Sequence, residues 1–159
     1  HENFKITILH ETNETVLDPI AGEADRRKML TPSRRCRIMV IDSMLIHLQT
    51  MRGLLHNMYD LQLFTSFEQA LLHLKRQTEP DLIILDMDMP RISGFDAAEK
   101  IQGIVGDFVP MLFVINTNDK SVVARCRKAG AAGYIVRPYK PTFVKAEIKR
   151  ILMRQQVTH

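Results

Sequence analysis

Two aspartates stand directly after short apolar segments, where they could support metal or phosphoryl chemistry. Asp42 follows the apolar residues 38–41, Asp86 follows residues 82–85, and Asp88 comes two positions later. If these carboxylates meet, they need a cation or a proton, because like charges about 4 Å apart repel by a few kcal/mol at a dielectric near 20. Mg²⁺ suits oxygen ligands best, and a carboxylate beside it can attack phosphorus.

A basic residue is predicted to reach the same place. Arg137 follows the apolar residues 134–136 and precedes Pro138. Its guanidinium could bind a phosphoryl group through two parallel hydrogen bonds. Alone, Asp42 would be interpreted equally well as a loop carboxylate that caps the next helix. Its pairing with a second strand-end aspartate favours a functional site.

The elements that must position these residues alternate between buried strands and helices. Short, wholly apolar runs are typical of parallel strands covered on both faces, and the segments between them carry apolar residues at helical spacing. The predicted strands are 38–41, 61–64, 82–85, 111–115 and 134–136; the predicted helices are 44–58, 66–75, about 94–102, 121–129 and a last one through residue 152. The pattern predicts a doubly wound α/β fold with a five-stranded parallel sheet, (βα)5. In such sheets ligands bind at the carboxyl ends of the strands, where we expect Asp42 and Asp86 to converge.

Length and composition indicate one ordinary globular domain. The chain has 159 residues, of which 45% are hydrophobic and 25% charged. We expect the domain at residues 35–157, with residues 1–34 as an N-terminal tail or the remnant of an upstream domain or linker. Cys36 and Cys126 lack metal-ligand spacing and are interpreted as free thiols in a reducing cytoplasm.

Charge and hydropathy limit the classes of partner. The net charge of +4 comes from short basic runs, which are typical of solvated linkers and helix faces, so nucleic acid is not an expected partner. The longest apolar run, residues 111–115, is far shorter than the about 20 residues of a membrane span, so no membrane association is expected.

Over about residues 35–157 the sequence resembles the receiver domain of bacterial two-component response regulators. The motifs that carry the resemblance are residues 38–42, residues 80–90 with Gly94, and residues 129–139. The resemblance implies a flavodoxin-like sheet with strand order 2-1-3-4-5 and a regulatory phosphoacceptor domain rather than an enzyme.

The resemblance also implies roles for individual residues and for partners. Asp86 matches the aspartate that accepts a phosphoryl group from a histidine kinase, a phosphotransfer protein or a small phosphodonor. Asp42 and Asp86 match Mg²⁺ ligands, and Asp88 matches the residue whose backbone carbonyl completes the metal site. Homodimer and output contacts are expected on the fourth helix, the fifth strand and the last helix.

The sequence departs from the family pattern at three places. Ser43 stands where the family has a second acid, and Arg137 stands where it has a lysine. The usual hydroxyl at the end of the fourth strand is absent or shifted, with Asn116 and Thr117 following Ile115, and Thr117 is the nearest candidate. Losing one carboxylate removes about 1–3 kcal/mol of metal binding, so weak Mg²⁺ binding is expected.

These departures leave two hypotheses for the function. The first is a receiver that accepts a phosphoryl group on Asp86 and switches its partner contacts. The second is a pseudo-receiver, a protein-interaction module that works without phosphorylation. A third, minor interpretation compares Asp86-x-Asp88 with the nucleophile motif of haloacid-dehalogenase phosphatases, but Pro90 and the lack of a downstream acidic pair count against it.

Overall fold

Five parallel strands form a single sheet in the computed structural model of the chain, which describes residues 34–76 and 79–158, with side chains through residue 155. The strands are β1 (Arg37–Ile41), β2 (Asp60–Phe64), β3 (Leu82–Asp86), β4 (Met111–Ile115) and β5 (Gly133–Val136). Their spatial order is β2-β1-β3-β4-β5. Both the predicted (βα)5 fold class and the strand order are confirmed. The predicted tail at residues 1–34 lies, except for Arg34, outside the described residues.

Helices cover both faces of this sheet. They are α1 (Leu45–Leu55), α2 (Phe67–Arg76), α3 (Gly94–Val105), α4 (Lys120–Lys128) and α5 (Pro141–Thr158). Apolar residues of α1 and α5 pack on one face of the sheet, and those of α2, α3 and α4 pack on the other. With both faces covered, strands β3 and β4 are buried along their whole length, which explains their uninterrupted apolar sequences.

The helix bounds differ from the predicted ones by a few residues. Helix α1, predicted to run to residue 58, ends at Leu55, since Met58 and Tyr59 donate backbone hydrogen bonds to the Leu55 carbonyl in a turn. At the start of α2 the Ser66 hydroxyl accepts from the Gln69 backbone N–H at 3.2 Å, as expected for a helix cap.

Strand register places the two candidate aspartates at the same level. Ile41 of β1 pairs with Leu85 of β3, so the residues that follow them, Asp42 and Asp86, lie side by side at the carboxyl edge of the sheet. Beyond the last strand, the Arg137 backbone N–H donates to the Ile115 carbonyl at 3.0 Å, which brings Arg137 to that same edge. Parallel pairing of β1 with β3 and of β4 with β5 therefore assembles the site.

Close packing fixes the loop between β3 and α3. The Gly94 backbone N–H donates to the Met87 carbonyl at 3.3 Å, and a Cβ atom at Gly94 would lie 2.3 Å from the Met87 Cα. Because this Met87 atom belongs to the backbone, it cannot move aside without shifting the neighbouring residues Asp86 and Asp88.

We therefore expect Gly94→Ala to destabilise the domain by about 1–3 kcal/mol, the usual cost of forcing extra atoms into a packed region. Gly103→Ala is the matched control in the same helix, since nothing lies within 4 Å of a Cβ there. That change should raise the free energy of unfolding by about 0.5–1 kcal/mol, as alanine does inside helices. Urea denaturation of both variants measures the difference, and equal stability of the two would contradict the close approach.

Candidate functional site

One guanidinium joins the two strand-end aspartates. Asp42 and Asp86 are almost fully buried, with 2% and 3% of their surface exposed. The Nη2 atom of Arg137 donates to Oδ2 of Asp42 and lies 3.1 Å from Oδ1 of Asp86. The two carboxylates therefore converge as predicted, and they meet through a shared positive charge.

Both oxygens of Asp42 have further donors. Oδ1 accepts from the backbone N–H of Met44 at 2.9 Å. The Nδ1 atom of His47, in the first turn of α1, lies 3.0 Å from Oδ1 and 3.1 Å from Oδ2. Asp42 thus fixes Met44 and His47 at the start of α1 as well as Arg137, although its side chain does not cap the helix itself.

The two oxygens of Asp86 differ in their surroundings. Oδ1 accepts from the backbone N–H of Asp88 at 2.9 Å and contacts Arg137, whereas no described residue donates a hydrogen bond to Oδ2. Burial raises the pKa of the Asp86 carboxyl above its ordinary value; the Asp88 N–H lowers it, the charge on Asp42 raises it further, and Arg137 opposes the rise.

Arg137 is itself held in place from several sides. Its Nη1 atom donates to Oδ1 of Asn116 at 2.9 Å, and Nδ2 of Asn116 donates to Oδ2 of Asp88. The guanidinium carbon lies 5.9 Å from the centre of the Tyr139 ring. Burial by itself would lower the pKa of Arg137, but Asp42, Tyr139 and Asp86 together raise it, so the side chain stays cationic.

Residues 38–149 match the response regulator receiver domain family. The chain belongs to this family. Among similar regulators, the transcriptional regulatory protein AfsQ1 of Streptomyces coelicolor is 34% identical over 83 residues, which are 52% of this chain and 36% of AfsQ1. PdtaR of Mycobacterium tuberculosis is 35% identical over 71 residues, 45% of this chain and 34% of PdtaR. The receiver domain thus aligns with about a third of the length of these relatives.

Solved structures agree on the fold. A CheY-like response regulator receiver domain from Methanospirillum hungatei superposes with a TM-score of 0.72 at 20% identity, over 79% of this chain and 100% of that one. The signal receiver domain of an HD domain-containing protein from Pseudomonas fluorescens gives 0.70 at 23% identity, over 78% and 99% of the two chains. Within residues 34–76 and 79–158, no helix is long and apolar enough to cross a membrane.

The structure brings most of the predicted site residues of this receiver domain together, but not all. Asp42 and Asp86 each contact Arg137 directly, and Asp88 joins them through its backbone and through Asn116. Thr117 does not join them, since its exposed hydroxyl accepts from the Asp119 backbone N–H at 3.2 Å. The position that faces the site at the end of β4 is Asn116.

Two contributors to the receiver site were missed at the sequence level. His47 is not among the residues predicted from the sequence, although its place five residues after Asp42 and in the first turn of α1 was a usable signal. Asn116 follows β4 directly, just as Asp42 follows β1. Position directly after a strand was therefore a better predictor of a site residue than the presence of a hydroxyl group, which had pointed to Thr117.

Receiver domains in general bind Mg²⁺ at the phosphorylation site. The predicted ligands here were Asp42, Asp86 and Asp88. In the described part of this chain, no three His, Cys, Asp or Glu side chains converge as a metal-binding group. Oδ2 of Asp42 and Oδ1 of Asp86 both contact the Arg137 guanidinium. As they lie, the residues do not fit a divalent cation.

The Asp86 titration gives a testable prediction. Because the folded-state pKa is raised, this carboxyl contributes stability below its ordinary pKa, and that contribution is lost as the pH rises through the raised value. Arg137→Met removes the guanidinium that opposes the rise, so the pKa of Asp86 should increase further. Carbon-detected NMR of the side-chain carboxyl measures it. Arg127→Met, an exposed change on α4, is the control; a lower pKa in Arg137→Met would contradict the described contacts.

Proposed function

We propose that this chain provides a phosphoryl-accepting receiver domain in a two-component signalling protein, with Asp86 as the acceptor. The observation that carries the proposal is the asymmetry of the Asp86 carboxylate. Oδ1 is fixed by the Asp88 N–H and Arg137, and Oδ2 has no hydrogen bond from a described residue. An oriented carboxylate with one free oxygen is what nucleophilic attack on phosphorus requires.

In the proposed step, a lone pair of Asp86 Oδ2 forms a bond to the phosphorus of a phosphohistidine or an acyl phosphate. The bond from phosphorus to the donor nitrogen or oxygen breaks, and the donor keeps that electron pair. The product is an acyl phosphate on Asp86. Arg137 lies 3.1 Å from Oδ1 and supplies positive charge where negative charge accumulates on the transferred group.

Arg137 could also connect the site to a partner surface. Arg137 and Pro138 line a pocket of about 360 Å³ beside α5, together with the half-exposed Phe143. A phosphoryl group on Asp86 adds a charge of about −1.5 to −2 and would draw the guanidinium toward itself. In our proposal, this shift alters the surface of α4, β5 and α5, where homodimer or output contacts form.

The partners and the location complete the proposal. A histidine kinase or a phosphotransfer protein would supply the phosphoryl group, since the relatives are response regulators. Cys36 and Cys126 are free thiols, which suits a reducing cytoplasm. We assign the receiver to residues 35–157, preceded by a tail or linker. Beyond accepting the phosphoryl group, it is regulatory rather than an enzyme.

A second candidate, the pseudo-receiver, is favoured by a different observation. Arg137 already contacts both carboxylates, and the Thr117 hydroxyl contacts the backbone of Asp119 rather than the site. A domain with this arrangement could present its α4, β5 and α5 surface permanently. Whether Asp86 becomes phosphorylated therefore distinguishes the phosphoryl-accepting receiver from the pseudo-receiver.

We expect the purified chain to gain the mass of one phosphoryl group on incubation with acetyl phosphate, as an acid-labile adduct. Intact-protein mass spectrometry, with and without Mg²⁺, measures the gain. Asp86→Asn should abolish it, because the amide lacks the nucleophilic oxygen pair, and Asp96→Asn on the exposed first turn of α3 should leave it unchanged. No gain in the unmodified chain under either condition would reject the acceptor role and favour the pseudo-receiver.

A further inference from the structure

We propose that the guanidinium of Arg137 takes the place of a divalent cation in this receiver, so that the folded domain holds its two buried carboxylates together without Mg²⁺. The inference concerns the resting site and does not require Asp86 to accept a phosphoryl group. It predicts that this chain differs from its family in not needing Mg²⁺ to hold these carboxylates together.

The first step of the argument is the electrostatic need for a cation. Asp42 and Asp86 are buried at adjacent strand ends, and two such charges repel strongly when water is excluded. Arg137 meets this need directly, since a single nitrogen, Nη2, contacts an oxygen of each carboxylate. The guanidinium therefore bridges the two carboxylates.

The second step is that Arg137 is anchored and is not a mobile counter-ion. Its backbone N–H is bonded to Ile115, its Nη1 atom to Asn116, and its guanidinium lies beside the Tyr139 ring. Asn116 is held in turn by Asp88. An ion that displaced the guanidinium would break this chain of contacts and leave a buried charge without partners, which is strongly unfavourable.

The third step is the weakness of the competing ligand set. Both oxygens of Asp42 already accept from Met44, His47 or Arg137. Ser43 brings no charge to the position where the family has a second acid. A divalent ion entering beside the fixed guanidinium would also meet like-charge repulsion. Displacement and co-occupancy are thus both unfavourable for Mg²⁺.

The test compares thermal unfolding of the whole chain in EDTA and in about 10 mM MgCl₂. A ligand that binds the folded state raises the midpoint in proportion to RT ln(1 + [L]/Kd). We expect no shift for the unmodified chain. Arg137→Ala leaves the two carboxylates to repel each other without a shared cation, so its unfolding midpoint should be lower in EDTA. In MgCl₂ that midpoint should rise by about 3 °C or more. Arg127→Ala on the exposed face of α4 is the matched control and should behave like the unmodified chain.

A second variant and a direct binding measurement keep the proposal testable if Arg137→Ala does not fold. Arg137→Lys keeps one charge but lacks the planar fork, and it should acquire a Mg²⁺-dependent midpoint shift as well. Binding of Mn²⁺, followed by electron paramagnetic resonance, should be at least about tenfold tighter in Arg137→Lys than in the unmodified chain.

Mg²⁺ stabilisation of the unmodified chain that disappears in Asp42→Asn would overturn the proposal, and so would equal Mn²⁺ affinity in all variants. Neither readout depends on phosphoryl transfer. Failure of Asp86 phosphorylation and failure of this inference are therefore separate results.

Discussion

Two like charges buried at neighbouring strand ends are the constraint on which this structure depends. Parallel pairing of β1 with β3 places Asp42 and Asp86 side by side, and both residues are almost fully buried. Such a pair is unfavourable without a cation. Arg137 supplies the positive charge from the end of β5, and the loops at this edge are arranged around its guanidinium.

The contacts of the two terminal nitrogens of Arg137 also tie together four separate loops. Asp42 binds the start of α1 through Met44 and His47, and Asp86 orients the turn that carries Asp88. Asn116 then links that turn to the end of β4 and to Arg137. One network thus joins the loops after β1, β3, β4 and β5. A change of charge at any member alters the hydrogen bonds of the others, which is a suitable basis for a signalling switch.

The same network distinguishes this chain from the general pattern of its family. In the pattern implied by the resemblance, a receiver has two acids after β1 and a lysine after β5. Here Ser43 removes one negative charge, and Arg137 replaces a compact ammonium by a planar, five-donor guanidinium of the same charge. The first difference makes the site less negative, and the second lets one side chain contact both carboxylates. In our proposal, both differences lower the demand for an external ion.

The apolar runs by themselves determined the (βα)5 fold, because buried parallel strands need apolar side chains on both faces. They also placed Asp42, Asp86 and Arg137 at one edge, since carboxyl ends of parallel strands lie together. Tertiary structure decided the rest. Arg137 reaches Asp42 across 95 positions of sequence, and Asn116 rather than Thr117 faces the site. Such choices depend on the path of each loop after its strand, where a shift of one residue reverses the direction of a side chain, and a local pattern does not record that path.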